Sequence, residues 1–504
     1  MDADLEALQE VRDAVARAQA AQKAFAGFDQ ATVDRICTAM AKAGESVAAD
    51  LARLAVEETG FGNVDGKTLK NLFATRDVWE SIRHEKSAGI VRRDDANGIW
   101  EAAVPMGVVA GVIPVTNPTS TALFKILISL KGRNAIVLSP HPRAVRCIRA
   151  SAEVMEKAAI SAGAPAGLIQ CLGSPTLQAT EALMRHPDTA VILATGGEGL
   201  VRAAYSSGKP AYGVGPGNVP VWVDRSADLA LAAKCLVSSK TFDYGTICAS
   251  EQAVVVDAPV KGAFLEEMRK ARAVLVEGED RAKLARLVQL PSGVLNTAVV
   301  GLPASRLAKM AGFSVPDDTT LLLAEEAGVG RDFPLSREIL APVLALYTAE
   351  GWEAGCERCM EVLRYGGMGH TLGLHCRDEK VFLAFALQKP AGRILVNAPT
   401  SQGAVGYATK LMPSMTLGCG TMGGNITTDN ITSRHLVQIK RIARLDPAFF
   451  GDRPENSRAV AASVPAPKTA PAAEHAPRGP VTSGDLRKSW TERNRARAQG
   501  LPLK

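Results

Sequence analysis

Cys248 lies in the stretch Lys240–Asp257, KTFDYGTICASEQAVVVD, with small residues around it and the β-branched run Val254-Val255-Val256 close behind. A cysteine so placed can present its sulfur and its backbone N–H to a substrate. A lone cysteine also serves as a small buried hydrophobe, and position alone leaves both readings open. Three other loops carry residues suited to ligand contact: Pro114-Val115-Thr116-Asn117-Pro118, Ser139-Pro140-His141-Pro142 and Thr195-Gly196-Gly197. The glycine pair at a helix start would let backbone approach a phosphate or a ring. Gly213-Val214-Gly215-Pro216-Gly217-Asn218 does not have the spacing of the G-x-G-x-x-G dinucleotide fingerprint, and no G-x-x-x-x-G-K-[ST] loop occurs. Cys356 and Cys359, followed by His370 and His375, approach a zinc-finger spacing. The two cysteines fall in a helical pattern, where i and i+3 are neighbours on one face, so no metal is expected.

These loops need elements to hold them. Residues 1 to about 60 have helical periodicity, with Leu5, Leu8, Val11, Val15 and Ala18 on one face. After Glu101, short apolar runs alternate with helical segments: AAVPMGVVAGVI, TALFKILISLKG, AIVLS, a helix near 145–160, GLIQCL, a helix near 176–185, TAVILA and VPVWVD. Near-continuous apolar strands between helices indicate a parallel sheet covered on both faces, hence an α/β protein. Such sheets bind ligands beyond the carboxyl ends of their strands. A second α/β region follows Cys248 to about 425, with strand candidates QAVVVD, TAVVG, LLLAEE, VLALY, LGLHC and RILVN. Residues 457–480 hold eight Ala and five Pro, without apolar periodicity. Such a segment cannot bury enough surface to fold and reads as a linker.

A chain of 504 residues exceeds one ordinary domain. Its nine scattered cysteines suit reduced thiols in a cytosolic protein. The N-terminus is charged and helical, unlike a signal peptide, and no apolar run is long enough to span a membrane. The net charge is +6, but residues 455–504 carry nine Lys/Arg against four Asp/Glu, so the body is nearly neutral. It has no charge reason to bind nucleic acid.

Taken together, PVTNPTSTALFK (114–125), AIVLSPHPRA (135–144), ILATGGEGLVRAAYSSGKPAYGVGPGN (192–218), TFDYGTICASEQ (241–252), EILAPVLALY (338–347), GMGHT (367–371) and 393–425 resemble the aldehyde dehydrogenase superfamily. The closer likeness is to the CoA-acylating branch, including its bacterial-microcompartment members. The resemblance covers residues 1 to about 450. It implies that Cys248, partly thiolate near neutral pH, attacks the aldehyde carbon, and that Asn117 and the Cys248 N–H bind the oxyanion. Hydride transfer to NAD, with NADP as the alternative, would leave a thioester that coenzyme A removes. Glu338 would hold the nicotinamide ribose, and His370 would act on the CoA thiol or orient substrate, unless it is a structural histidine. Further cofactor contacts are implied at Pro114, Ser139, His141, Thr195, Gly196, Gly197 and Gly215. Ser139 replaces a family lysine, which leaves the choice between NAD and NADP open.

Hydrolytic relatives carry a glutamate base in a Glu-Leu-Gly-Gly-Lys motif, whereas 213–218 here holds no carboxylate. Without that base, water attacks slowly and the thioester survives for another thiol. The expected activity is therefore oxidation of a short-chain aldehyde, acetaldehyde or propionaldehyde by analogy with the branch, to its acyl-CoA. The alternatives are a hydrolytic dehydrogenase, or an inactive binding protein recruited through its tail. The expected organisation is a dinucleotide-binding α/β domain over 1–240, with a β arm near 100–115, and a catalytic α/β domain over 241–425. An oligomerisation arm over 426–454 for a homodimer or homotetramer, a linker over 455–483 and a basic tail over 484–504 complete it, the last two forming a disordered C-terminal extension. The tail, with Leu486 and Trp490 at i, i+4, is a candidate helix for a microcompartment shell protein, or else a solvated extension or a nucleic-acid or membrane contact. Arg493, Arg495 and Arg497 alternate rather than sharing a face, which weakens the last reading.

Overall fold

The N-terminal helix Ala3–Phe25 packs through Ala7, Val11, Ala14, Val15 and Ala18, while Leu5 is exposed. The predicted stripe is therefore shifted, because the three- and four-residue steps back from Val15 reach Val11 and Ala7 and leave Leu5 on another face. This helix and Gln30–Ser46 cover one sheet in a core shared with the strands. The computed structural model describes residues 3–446, so the linker and tail over 455–504 lie outside the described residues. Residues 1–443 form one unit.

Among the described residues, fifteen strands come after the first helices and alternate with further ones. In chain order they are β1 (Gly89–Asp94), β2 (Ile99–Pro105), β3 (Val108–Val112), β4 (Ala135–Ser139), β5 (Ile169–Cys171), β6 (Thr189–Thr195), β7 (Ala211–Val214) and β8 (Val219–Val223). The rest are β9 (Glu251–Asp257), β10 (Ala273–Val276), β11 (Leu321–Glu325), β12 (Val343–Ala349), β13 (Gly369–His375), β14 (Ala391–Val396) and β15 (Val437–Ala443). A five-stranded parallel sheet has the order β5-β4-β3-β6-β7. A seven-stranded parallel sheet has the order β10-β11-β12-β9-β8-β13-β14. The expected α/β class with two parallel sheets is what the chain adopts.

The change of sheet falls at residues 215–218, because β8 already belongs to the larger sheet. The expected boundary at 240/241 instead follows the helix Leu229–Thr241. The β arm also differs in extent. It is the antiparallel sheet β1-β2-β15, formed by residues 89–105 and 437–443. Val108–Val112 is instead fully buried as the central strand of the five-stranded sheet. The expected strand at TAVVG is a 3-10 turn over Thr297–Val299, because the Asn296 side chain accepts from the Ala298 N–H and closes a turn there.

Cys356 and Cys359 lie buried on the helix Gly351–Gly366, in an apolar cluster with Trp222 and Phe385. Among the described residues, no helix is long and apolar enough to cross a membrane.

Candidate active site

The helix Leu229–Thr241 ends in a tight turn where Asp243 (φ 49°), Tyr244 (φ 51°) and Gly245 (φ 78°) are left-handed. This turn delivers Cys248 to the amino end of β9. For non-glycine residues that conformation costs energy, and a buried polar network holds it. The Asp243 carboxylate accepts from the Asn63 N–H (2.8 Å), the Thr246 hydroxyl (2.7 Å) and Lys67 Nζ (3.2 Å), and pairs with Lys70 Nζ. Burial raises the Asp243 pKa, but Lys70 and Lys67 outweigh it and bring it below its ordinary value. Burial pulls Lys70 down to about 8, against the pull of Asp243. Gly66 allows this packing, since a Cβ there would stand 2.7 Å from the Asp243 Cβ.

Cys248 is partly exposed, and its sulfur lies 3.3 Å from His370 Nε2. His370, the second residue of β13, is fully buried, with Nδ1 3.0 Å from the Thr371 hydroxyl. With Nδ1 protonated and donating to Thr371, Nε2 is free to accept the thiol proton. Arg393, on the adjacent strand β14, donates to the carbonyls of His370 (3.0 Å), Gly418 (2.7 Å) and Thr428 (3.1 Å) and fixes this corner. Burial, with Arg393 adding to it, pulls His370 down to about 3. Burial first, then Glu338 and Cys419, pushes Cys248 up to about 12. Burial of the thiol thus opposes the partial ionisation expected from the sequence. A desolvated sulfur beside a carboxylate keeps its proton, and the neutral imidazole is the group within hydrogen-bond reach of it.

Asn117 follows β3 at the start of the helix Pro118–Lys131. Its Oδ1 accepts from Lys70 Nζ at 2.7 Å, and its Nδ2 lies 3.3 Å from the Thr116 hydroxyl. Asn117 and Cys248 line one cavity of about 490 Å³, together with Pro114, Ser139, His141, Thr195, Gly196, Gly197, Gly215 and Glu338. Every predicted site residue lines this cavity except His370, which joins the site by backing Cys248. The cavity opens at the carboxyl ends of β3 and β6, where the strand order reverses and α/β sheets bind ligands. Cys248 and His370 come instead from the amino ends of β9 and β13.

Within the cavity, Ser139 Oγ and Thr180 Oγ1 are 2.8 Å apart, and His141 Nδ1 accepts from the Arg143 N–H at 3.1 Å. Burial and Arg143 both lower the His141 pKa. Thr195 Oγ1 is buried without a hydrogen-bond partner among the described residues. Glu338 Oε1 accepts from the Gly217 N–H at 2.9 Å. Burial raises that carboxyl to about 7, opposed by the Gly217 N–H and Lys240.

A second, apolar cavity of about 370 Å³ is lined by Phe73, Phe242, Ile247, Val405 and Met415, with Lys70 in its wall. Sequence reasoning missed Lys67, Lys70, Asp243 and Arg393. Lysines at i and i+3 on an N-terminal helix look like a solvated face. Asp243 and Arg393 stood inside recognisable motifs, but nothing local marked them as buried.

Residues 3–296 match the aldehyde dehydrogenase family. An acetylating aldehyde dehydrogenase from Geobacillus thermoglucosidasius is 52% identical with a TM-score of 0.87, over 88% of this chain and 98% of that one. The bifunctional aldehyde-alcohol dehydrogenase of Escherichia coli is 44% identical over 440 residues, 86% of this chain and 49% of the relative. The chain thus spans about half the length of that curated relative. A propionaldehyde dehydrogenase from the Clostridium phytofermentans fucose utilisation bacterial microcompartment is 29% identical with a TM-score of 0.78, over 86% of this chain and 97% of that one. With its matched segment covering more than half its length, the chain belongs to the aldehyde dehydrogenase family.

Proposed function

We propose that the protein is a CoA-acylating aldehyde dehydrogenase that converts a short-chain aldehyde to its acyl-CoA through a thioester on Cys248. The observation that carries this reading is the neutral His370 imidazole 3.3 Å from the Cys248 sulfur, facing a 213–218 segment without a carboxylate. A base that takes a proton from one thiol suits a second thiol equally, and the carboxylate beside 213–218, that of Glu338, is held on the Gly217 N–H.

In this reading His370 Nε2 takes the Cys248 proton as the sulfur bonds to the aldehyde carbon, and the carbonyl π pair moves to oxygen. Asn117 Nδ2 and the Cys248 N–H bind that oxyanion. Bound NAD(P)+ supplies the acceptor for the hydride that the thiohemiacetal releases as its C–H bond breaks. His370 releases the Cys248 proton to solvent, then takes the proton of the CoA thiol as the CoA sulfur bonds to the thioester carbon, and returns it to the Cys248 sulfur as that sulfur leaves. The cavity residues fit such a cofactor. Thr195 Oγ1 is an orphaned polar atom at the wall, no side chain caps the first turn of the helix Glu198–Tyr205, and Glu338 projects a carboxylate for a ribose hydroxyl. We assign NAD as the cofactor, with NADP as the alternative, and Pro114, Ser139, His141, Gly196, Gly197 and Gly215 to its cleft.

We propose acetaldehyde or propionaldehyde as the substrate, by analogy with the acetylating and propionaldehyde dehydrogenases that the chain resembles. The test is NADH formation by purified protein from two- to four-carbon aldehydes with and without CoA. Turnover that requires CoA and is lost in Cys248→Ala supports the proposal. Turnover independent of CoA favours the hydrolytic reading, in which Glu338, raised to about 7 beside Cys248, would be the base.

Residues 484–504, joined by the Pro/Ala-rich 455–483, are proposed to dock on a microcompartment shell protein, by analogy with the microcompartment relative. Undiminished packaging after deletion of 457–504 would sink this. The sheet β1-β2-β15, with Ile99, Ile439 and Ile442 exposed, is proposed as the arm of a homodimer or homotetramer. The protein would then act in the cytoplasm, inside a microcompartment.

A further inference from the structure

Lys70 reaches the site from the helix Val64–Leu72, well separated in sequence from both Asn117 and Cys248. It is 3% exposed, and its ammonium donates to Asn117 Oδ1 (2.7 Å), the Thr246 hydroxyl (3.1 Å), the Thr246 carbonyl (3.2 Å) and the Asp243 carboxylate. An ammonium has donors and no acceptor. It can therefore face only the oxygen end of the Asn117 amide. A flipped amide would set NH2 against NH3+ and forfeit a charge-assisted hydrogen bond.

With Oδ1 held, Nδ2 is turned to the other side. There, among the described residues, its hydrogen-bond partner is the Thr116 hydroxyl, at a long 3.3 Å. One Nδ2 proton is thus left for an acceptor in the cavity that Asn117 shares with Cys248. Asp243 keeps Lys70 in place, because Asn63, Thr246 and Lys67 anchor the same carboxylate.

We propose that Lys70, seated on Asp243, is the positioning residue that locks the Asn117 amide with its N–H turned toward the oxygen bound at Cys248. Lys70 does not touch the reacting atoms and acts through Asn117. The role rests on Cys248 being the nucleophile. A preorganised donor is worth roughly 100- to 1,000-fold in rate, and an amide free to rotate loses part of that.

The test is a double-mutant cycle on the full chain with propionaldehyde, NAD+ and CoA, using Lys70→Met, Asn117→Ala and both together, with Cys248→Ala alongside. Lys70→Met is expected to lower kcat roughly 10- to 100-fold with aldehyde KM little changed. In the Asn117→Ala background the same change should cost less than about threefold, since no amide remains to orient. If Lys70→Met fails to fold, Lys70→Gln, which keeps an amide donor on a shorter stem, takes its place in the cycle. Equal losses in both backgrounds, or a loss confined to KM, would overturn the positioning role while Cys248→Ala stays inactive. Turnover in Cys248→Ala would instead overturn the nucleophile reading and, with it, the oxygen that Lys70 serves.

Discussion

His370 Nε2 lies 3.3 Å from Cys248 Sγ, and the two groups are shifted in opposite directions, the imidazole down to about 3 and the thiol up to about 12. Both are uncharged near neutral pH, and the base reaches its acid by hydrogen bond instead of by ion pairing.

This arrangement sets the pH dependence of Cys248. An ordinary histidine would lose its basicity below about 6.5, but His370 stays neutral far below that. In a Glu338→Gln background, which removes the carboxyl raised to about 7, the kcat/KM profile should therefore show no acid limb near pH 6.5, while His370→Gln should lower turnover by roughly 100- to 10,000-fold. In that variant, alkylation of Cys248 by iodoacetamide should climb steadily with pH, because only a thiolate formed without help reacts. An acid limb near 6.5 that persists in Glu338→Gln would show that the imidazole is not held neutral.

Glu338 gives a stability prediction. Its folded pKa of about 7 lies above the ordinary 4.5. Its contribution is therefore fully present below about pH 4.5 and is lost as pH rises through about 7. Glu338→Gln removes the ionisation while its amide oxygen can still accept from the Gly217 N–H. The urea midpoint of the ligand-free variant should match wild type at pH 4.5 and exceed it at pH 8. Equal midpoints at both pH values would contradict the raised pKa.

The backbone at Gly217 has no room for a side chain. A Cβ there would stand 2.1 Å from the Cys248 carbonyl oxygen and 3.3 Å from His370 Cδ2. The first of these is a backbone atom that cannot swing aside. Gly217→Ala should therefore displace the strand-to-loop segment against Cys248, costing about 1–3 kcal/mol in stability and at least tenfold in kcat. Gly262→Ala, where a Cβ meets nothing within 4 Å, is the control expected to keep kcat.

Much of this site was legible because its parts sit at ends of strongly patterned strands. Val108–Val112, Thr189–Thr195 and Val254–Val256 are apolar and short, so the loops after β3 and β6 and before β9 could be located by eye. What was hidden is pairing at a distance. The contact between His370 and Cys248 spans 122 residues, and that between Lys70 and Asp243 spans 173. Neither distance leaves a periodic trace. The thiol's ionisation also could not be read, since desolvation depends on the walls that β8, β13 and the 338–340 segment close around it.

Arg393 is the least expected support of the site and yields the last prediction. Its guanidinium lies 4% exposed between β13 and the 418–430 segment and satisfies the carbonyls of His370, Gly418 and Thr428, with Asn430 Oδ1 at 3.3 Å. A lysine keeps the charge but cannot reach three diverging carbonyls with one ammonium on a flexible stem. Each carbonyl left without a donor costs about 1–3 kcal/mol. Arg393→Lys should therefore lower the urea midpoint and loosen the strand that carries His370. The expected signature is a roughly tenfold fall in kcat at unchanged aldehyde KM. The alkylation profile of Cys248 should also move toward that of His370→Gln, because the imidazole would no longer be held against the sulfur. A variant with lowered stability but a wild-type alkylation profile would show that Arg393 braces the fold without setting the His370–Cys248 contact.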